Sequence, residues 1–439
     1  MAQLVVDLEE WEHHSANDAG SPLAGTFLRD QSERELAAHL STSGILDIQE
    51  LREGLALQAS SYVGRIMLGE VQITIRPKIR GLPFLQLLRY AYGLRDLKNM
   101  TEASFSSEDL TFQDLLINQL ITETEELVAR GLHRKYVRTD ADLVSPRGRL
   151  DLQRIAKQGG IIQATLPCTH HPRIEDCLIN QVVLQGLRLA AHLTSDTEMR
   201  FKLSRLAHVF QDSISPIVLN HHVLVRLCQQ MDRLTTAYQP AITIIDILYH
   251  AAGMALRENQ PRVQLPGFLF DMNHFFQDLL SRFLRENLRE YEVRDQYRIQ
   301  HMLSYDPEHN PRNRRAPEPR PDYVVVQRGR PVSILDAKYR DLWDKELPPH
   351  MLYQLAMYAL SQPDGVDATI LYPTLQPALP EARIAIRDPL RGTNRAFVVL
   401  RPVDLLYLAQ LVSGPQTADQ ERKRTVFARQ VAFGGPSYV

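Results

Sequence analysis

One stretch constrains this chain more than any other: PDYVVVQRGRPVSILDAK, residues 321–338. The β-branched run Val324-Val325-Val326 favours a buried, pleated strand over residues 322–326. Residues 327–330 read as a turn, since Gly329 is free to take positive φ, and residues 332–338 as the return strand. Asp322 precedes Gly329 by seven residues and Asp336 follows it by seven. A hairpin closing symmetrically there sets the two aspartates opposite each other. Directly opposed Cβ atoms lie about 4.5–5.5 Å apart, within reach of one shared cation. Side chains repeat every two residues along a strand, so Lys338 shares a face with Asp336. Two facing carboxylates on an otherwise apolar hairpin repel each other unless something positive joins them. The set predicts a hard divalent cation held by oxygen, Mg²⁺ first, with Mn²⁺ as a substitute. An Asp, a gap and Asp-x-Lys is also a short pattern that chance supplies to many chains, so its surroundings matter.

With 439 residues, the chain is long enough for two or three domains. Hydrophobic content of 44% and charged content of 23% are those of a soluble globular protein. No apolar run reaches the ~18 residues of a membrane span. The acidic start, MAQLVVDLEEWEHH, lacks the basic-then-apolar order of a signal peptide. Three cysteines, Cys168, Cys177 and Cys228, make no disulfide framework, and the expected location is the reducing cytoplasm. The formal net charge of −2 is low for a protein that grips DNA alone over a large surface. Local basic patches or a partner must then supply much of any DNA affinity.

Three regions follow along the chain. Residues 1–80 read as a small β-rich domain, with strands over 4–8, 44–48, 55–59, 62–68 and the alternating 71–75, and a loop over 12–20. Pro77 stops the last strand, leaving Arg76 and Lys78 as candidate partner contacts. Residues 81–260 read as mainly helical. Phe84, Leu87, Leu88 and Ala91 lead one amphipathic stretch, and Leu115, Leu116, Leu120 and Ile121 another. The basic clusters at 133–138 and 147–149 suit solvated surface, or else phosphate or partner contact. Cys168, His170, His171 and Cys177 match no standard zinc spacing. Asp176 and Asn180, one helical turn apart, suit packing or capping.

Residues 261–439 form the third region. Asp271 can cap a helix whose apolar residues Met272, Phe275, Phe276, Leu279, Leu280, Phe283 and Leu284 fall at helical spacing. A strand is expected over 297–303. A Pro- and Arg-rich loop with Arg312, Arg314, Arg315 and Arg320 then opens onto the hairpin, where exposed cations suit phosphate backbones. A helix over 350–361 places Gln354 and Tyr358 on one face. Strands over 368–372, 383–386 and 396–400 and a helix over 403–411 complete an α/β core, whose sites gather at one sheet edge.

This order, with Asp322, Asp336-Ala337-Lys338 and Gln354-x₃-Tyr358, resembles the PD-(D/E)xK nuclease superfamily and its RecB-like branch. The whole chain resembles the McrC family, nuclease subunits of McrBC modification-dependent restriction systems. ITIRPKI (73–79), LRYAYGL (88–94), RGRLD (147–151), DCLIN (176–180), GFLFDMNHFF (267–276) and the hairpin carry the likeness in their order. The resemblance implies a restriction-endonuclease-like C-terminal core cutting both strands of DNA that carries modified cytosine. It implies Mg²⁺ held by Asp322, Asp336 and the Ala337 carbonyl, with Lys338, Gln354 and Tyr358 assisting. It also implies a partner, an McrB-like AAA+ GTPase ring that the N-terminal part stimulates. The sequence contains no G-x-x-x-x-G-K-[ST] loop, so nucleotide binding by that route falls to the partner.

One position departs from the pattern. Many superfamily members place a metal-binding Glu on the first core helix, and Gln277 stands there, with Asp278 beside it as a substitute ligand. Two other readings share these residues. A stand-alone RecB-like DNA nuclease would leave residues 1–260 without a role. A non-catalytic activator of a ring NTPase is favoured by Gln277 alone, against an intact Asp322, Asp336 and Lys338.

Overall fold

The computed structural model describes residues 4–94, 112–157, 164–194, 196–253, 267–299, 302–361, 367–414 and 417–435. The chain forms two compact units, one made of Met1–Glu108 with Leu269–Val439, the other of Asp109–Phe268.

The first unit begins with β1 (Leu4–Glu9), β2 (His13–Ser15), α1 (Gln31–Thr42), β3 (Leu46–Leu51), β4 (Gly54–Ala59), β5 (Tyr62–Leu68), β6 (Val71–Arg76) and α2 (Gly81–Tyr92). β1 lies parallel to β6, and β6 antiparallel to β5. β2, β4 and β3 make a separate antiparallel sheet. The expected strands are present, their ends shifted by up to three residues. The segment read as a loop contains β2, and α1 interrupts the β-rich region. The Asp30 carboxylate accepts from the Glu33 N–H at 2.8 Å, the N-cap that starts α1. Leu36, Ala37 and Leu40 then face the core.

The second unit holds α3 (Phe112–Arg130), β7 (Lys135–Tyr136), β8 (Thr139–Leu143), β9 (Arg149–Leu150), α4 (Leu152–Lys157), β10 (Leu166–His170), β11 (Arg173–Ile174), α5 (Leu178–Leu193), α6 (Thr197–Gln211), α7 (His221–Gln230) and α8 (Gln239–Gly253). Ile117, Leu120, Val183, Leu187, Leu203, Phe210, Ile244 and Ile245 are completely buried between its helices. Asn180 is equally buried. Its amide donates to the carbonyls of His133 and Glu175 at 2.9 and 2.7 Å and accepts from the Tyr238 hydroxyl at 2.9 Å. Asp176 accepts from Ser215, so both residues pack as their spacing suggests. The short strands β7 to β11 were not expected in a helical region. The apolar run over 242–248 reads as a helix continuing to residue 256, and Asp364-Gly365 as a chain break; residues 254–256 and 364–365 lie outside the described residues.

The first unit resumes with β12 (Gly267–Asp271), α9 (Met272–Asn287), β13 (Glu292–Asp295), β14 (Tyr323–Gln327), β15 (Arg330–Ala337), α10 (Pro349–Leu360), β16 (Ala368–Thr374), β17 (Ala382–Arg387), β18 (Asn394–Asp404), α11 (Leu405–Ser413) and α12 (Ala418–Phe433). β12 joins the edge of the β1-β6-β5 sheet. The remaining strands form one six-stranded sheet in the order β13-β14-β15-β16-β18-β17. β15, β16 and β18 are mutually parallel, flanked by antiparallel neighbours. The strand expected over 297–303 is instead β13, earlier in the chain, because Val293 supplies the buried position and pairs with Val325.

The division at residues 80 and 260 maps onto these units only in part. α2, read with the middle region, belongs to the first unit. Its Phe84 meets Phe275 of α9 edge-on at 5.6 Å, and Tyr90 meets Phe283 at 6.3 Å. On one sheet face Val324, Ile334, Ile370 and Val398 pack under Leu355 and Tyr358 of α10. α12 is tied to β15 by the Ser333 hydroxyl donating to the Ala432 carbonyl at 2.7 Å.

Candidate functional site

The hairpin of β14 and β15 pairs Gln327 with Arg330 and turns through Arg328 and Gly329, at φ 51° and 78°. Positive φ at both central residues is the twist-matched hairpin turn. The pairing axis is therefore half a residue away from Gly329. A bulge restores the difference: Val326 faces Pro331, but Val325 faces Ser333, leaving Val332 as the extra residue. Pro331 cannot donate to the ladder, which makes this a natural place for it. Beyond the bulge Tyr323 faces Leu335, so Asp322 and Asp336, one step further along each strand, oppose each other.

The site is nearly dry, with Asp322 7% and Asp336 3% exposed. Lys338 Nζ lies 3.0 Å from Asp336 Oδ2 and 3.5 Å from Asp322 Oδ2. Asp322 is held tightly. Its Oδ2 accepts from the Ala337 N–H at 2.9 Å and from Gln277 Nε2 at 3.1 Å, and its Oδ1 accepts from Gln296 Nε2 at 3.0 Å. Burial raises the pKa of Asp336 above the usual carboxylate range, and the Asp322 charge adds to this against Lys338. Burial also opposes the charge on Lys338, but Asp336 and Asp322 outweigh it and hold its pKa up. Two carboxylates around one ammonium leave a buried negative excess, which a cation would relieve.

Three elements place these groups. The Asp271 carboxylate caps α9 by accepting from the N–H groups of Asn273 and His274, as its position suggested. Asn273 Oδ1 in turn accepts from the Tyr339 N–H at 2.9 Å, fixing the chain just past Lys338. The Tyr323 hydroxyl donates to the Gln277 carbonyl at 2.6 Å, bracing α9 over the hairpin. On α10, Gln354 Nε2 donates to the Tyr358 hydroxyl at 2.8 Å. Burial raises the pKa of Tyr358, and the charges of Asp336 and Asp322 act in the same direction; that tyrosine borders the charged cluster.

The donors fit a hard cation in kind, being carboxylate oxygens beside the fully buried Ala337, whose carbonyl lies 3.5 Å from the same Gln277 amide that donates to Asp322. Asp278, the other candidate ligand, lies on α9 beside Gln277. It pairs with His274 at 3.5 Å, and among the described residues no group of three or more His, Cys, Asp or Glu side chains is placed to hold a metal. Arg312, Arg314, Arg315 and Arg320 are exposed on the loop running into Asp322. Arg76 and Lys78 are already engaged, with Asp7 at 3.3 Å and Asp341 at 3.7 Å. Sequence reasoning missed Gln296. It takes φ 47°, and its N–H donates to the Asp322 carbonyl at 2.9 Å, so backbone and side chain both grip Asp322. No motif marks it; strand pairing alone brings it there.

Comparisons with known proteins agree with this architecture. Residues 57–373 match the model of the family described as McrBC 5-methylcytosine restriction system component. The fold is similar to a chain of the half-complex from the tetradecameric assembly of Thermococcus gammatolerans McrB AAA+ hexamers with bound McrC. That match has a TM-score of 0.60 and 23% identity and covers 96% of this chain and 99% of that one. A chain of the Thermococcus gammatolerans McrBC complex aligns at TM-score 0.46 and 22% identity, over 65% of this chain and 88% of that one. No curated protein matches significantly. The family match spans well over half of the sequence, and the chain belongs to the McrBC 5-methylcytosine restriction system component family.

Proposed function

We propose that the chain is the nuclease subunit of an McrBC-type restriction system, cutting DNA that carries modified cytosine by Mg²⁺-assisted phosphodiester hydrolysis. The observation that carries this reading is Lys338 lying within 3.5 Å of both buried aspartates at the carboxyl end of a parallel strand. Asp322, Asp336 and the Ala337 carbonyl would hold the ion. When bound, Mg²⁺ polarises a phosphate and lowers the pKa of a water. Lys338 orients that water or stabilises charge developing on the phosphate. Gln354 holds the Tyr358 hydroxyl beside the cluster. The exposed arginines of the loop before Asp322 meet the phosphate backbone.

The partner in this reading is an AAA+ GTPase ring, which the chain binds and stimulates. Support comes from the similar structure, a complex of McrB AAA+ hexamers with bound McrC, and from the missing phosphate-binding loop in this sequence. The test is cleavage of methylated and unmethylated plasmid with Mg²⁺, by the chain alone and with the AAA+ protein encoded beside it plus GTP or ATP. Cutting that needs partner, nucleotide and methylation supports the proposal. Cutting by the chain alone, indifferent to methylation, makes it a stand-alone nuclease. Stimulated nucleotide hydrolysis without any cutting makes it a non-catalytic activator, the reading that Gln277 favours.

A further inference from the structure

A cavity of about 160 Å³ lies in the first unit beside the segment that follows β15, lined by Glu10, Trp11, Lys78, Arg340, Asp341 and Trp343 among others. Four observations mark it as built for a ligand. The chain has two tryptophans, and both line this cavity. Trp11 adopts φ 64°, a costly conformation for a bulky residue; its N–H is held by the Ser60 carbonyl at 3.3 Å. The Arg340 guanidinium stands over its ring at 5.5 Å. The Glu10 side chain is 2% exposed, yet its Oε2 has no hydrogen-bond partner; Oε1 takes the Tyr339 hydroxyl at 3.4 Å.

An unpartnered buried carboxyl oxygen is costly in a folded chain. Stacking faces, a hidden hydrogen-bonding group and an arginine in the lining are together what an unstacked nucleotide needs. The volume favours small bases, because a cavity of about 150 Å³ accommodates a benzene ring; a single-ring base can be covered by the lining, whereas the second ring of a purine would stand outside it. We propose that this cavity binds one unstacked pyrimidine nucleotide of DNA. Its base would lie against Trp11 and Trp343, its Watson–Crick edge on the Glu10 carboxyl, and its phosphate near Arg340, since Lys78 is already paired with Asp341 at 3.7 Å. Burial pushes Glu10 up to about 8, so near neutrality it retains a proton and presents one donor and one acceptor. Cytosine and thymine each offer the complementary pair. The choice of DNA as the source of the base rests on the nuclease reading above.

The tryptophans make the site its own reporter, since all indole emission of the chain arises from this cavity. The full chain is titrated with dCMP, dTMP, dAMP and dGMP, and emission is followed. The expected result is saturable quenching by dCMP and dTMP, with the purine nucleotides weaker by about fivefold or more. Glu10→Met should weaken pyrimidine binding about tenfold. Glu10→Gln, which keeps one donor and one acceptor, should retain it. Trp343→Ala, at a half-exposed position able to tolerate the change, should weaken binding as reported by Trp11. No response to any nucleotide, purines binding as well as pyrimidines, or undiminished binding by Glu10→Met overturns the proposal. So does quenching by N-acetyl-argininamide in place of nucleotides, which would make the cavity a socket for a cationic side chain. Cleavage of methylated plasmid by the same preparation, supplied with the AAA+ partner, GTP and Mg²⁺, separates the two readings. Cleavage without nucleotide binding removes the pocket and leaves the nuclease; nucleotide binding without cleavage does the reverse.

Discussion

The amide of Gln277 donates to Asp322 Oδ2 at 3.1 Å, and thereby stands on α9 where a carboxylate would join Asp322 and Asp336 around the proposed ion. An amide satisfies the apo site, whereas a carboxylate there would add a third negative charge. Gln277→Glu should therefore lower the melting temperature in EDTA and raise it more steeply with added Mg²⁺. It should also shift the Mg²⁺ requirement of cleavage to lower concentrations. Thermal melts across a Mg²⁺ series check this; a variant with unchanged Mg²⁺ dependence would place position 277 outside the metal shell.

Asp336 is the strained carboxylate of the pair, raised by burial and by Asp322. Asp336→Asn leaves a one-to-one ion pair between Asp322 and Lys338 and removes the buried negative excess. The fold should be as stable or gain about 1 kcal/mol, while cleavage is lost. Lys338→Ala removes the only ammonium within reach of both aspartates in the described site, and should lose both cleavage and stability, by about 3 kcal/mol. Neither change should dissociate the AAA+ partner. Denaturant melts beside a plasmid assay test the pair, and full cleavage by either variant contradicts the assigned roles.

The opposition of these aspartates was legible for a reason the sequence conceals. Counting from Gly329 assumes a centred turn. The turn sits half a residue away, and the bulged Val332 compensates. Helical spacing likewise placed α9, because its seven apolar residues are all buried and nothing competes with them. What pattern reading missed depends on contacts distant in sequence. Gln296 reaches Asp322 across 26 residues, and Tyr339 reaches Glu10 across 329. The packing of α2 is a similar case: its apolar face fits any core, and the contact of Phe84 with Phe275 shows which one it meets.

Gln296 offers a way to separate backbone from side chain. Gln296→Gly relaxes the positive φ while deleting the bond to Asp322 Oδ1. Gln296→Ala deletes the bond and keeps the strain. A hydrogen bond to a charged group is worth about 1.5–3 kcal/mol, and Gly in this region recovers up to about 1 kcal/mol. The glycine variant should therefore be the more stable of the two, and both should cleave more slowly than the parent. Equal rates in parent and variants would show that Asp322 needs no second amide.

Glu10 should give the fold a pH dependence. Burial raises its pKa from 4.5 to about 8 in the folded chain, so the neutral form is favoured by folding. Its contribution is full below the unfolded value near 4.5, declines as pH rises, and is exhausted above about 8. The parent should lose a few kcal/mol across that window relative to Glu10→Gln, which cannot ionise. Melts of the two proteins from acid to alkaline pH check the sign; parallel curves would mean that Glu10 is ionised throughout.

Gly186 supplies a test confined to the second unit. It lies on α5 facing Ile245 of α8, and a Cβ there would stand 2.3 Å from Ile245 Cγ1 and 2.4 Å from its Cδ1. Ile245 is fully buried and β-branched, so it has no free rotamer to retreat into. Alanine normally improves a helix interior by up to about 1 kcal/mol over glycine, but overpacking costs about 1–3 kcal/mol, and at this separation the second effect wins. Gly186→Ala should destabilise the unit. Gly186→Ala with Ile245→Val, which removes Cδ1 and leaves Cγ1 in place, should recover only part of the loss. A double-mutant cycle by denaturant unfolding measures the coupling, and additivity of the two changes would show that the helices separate without cost.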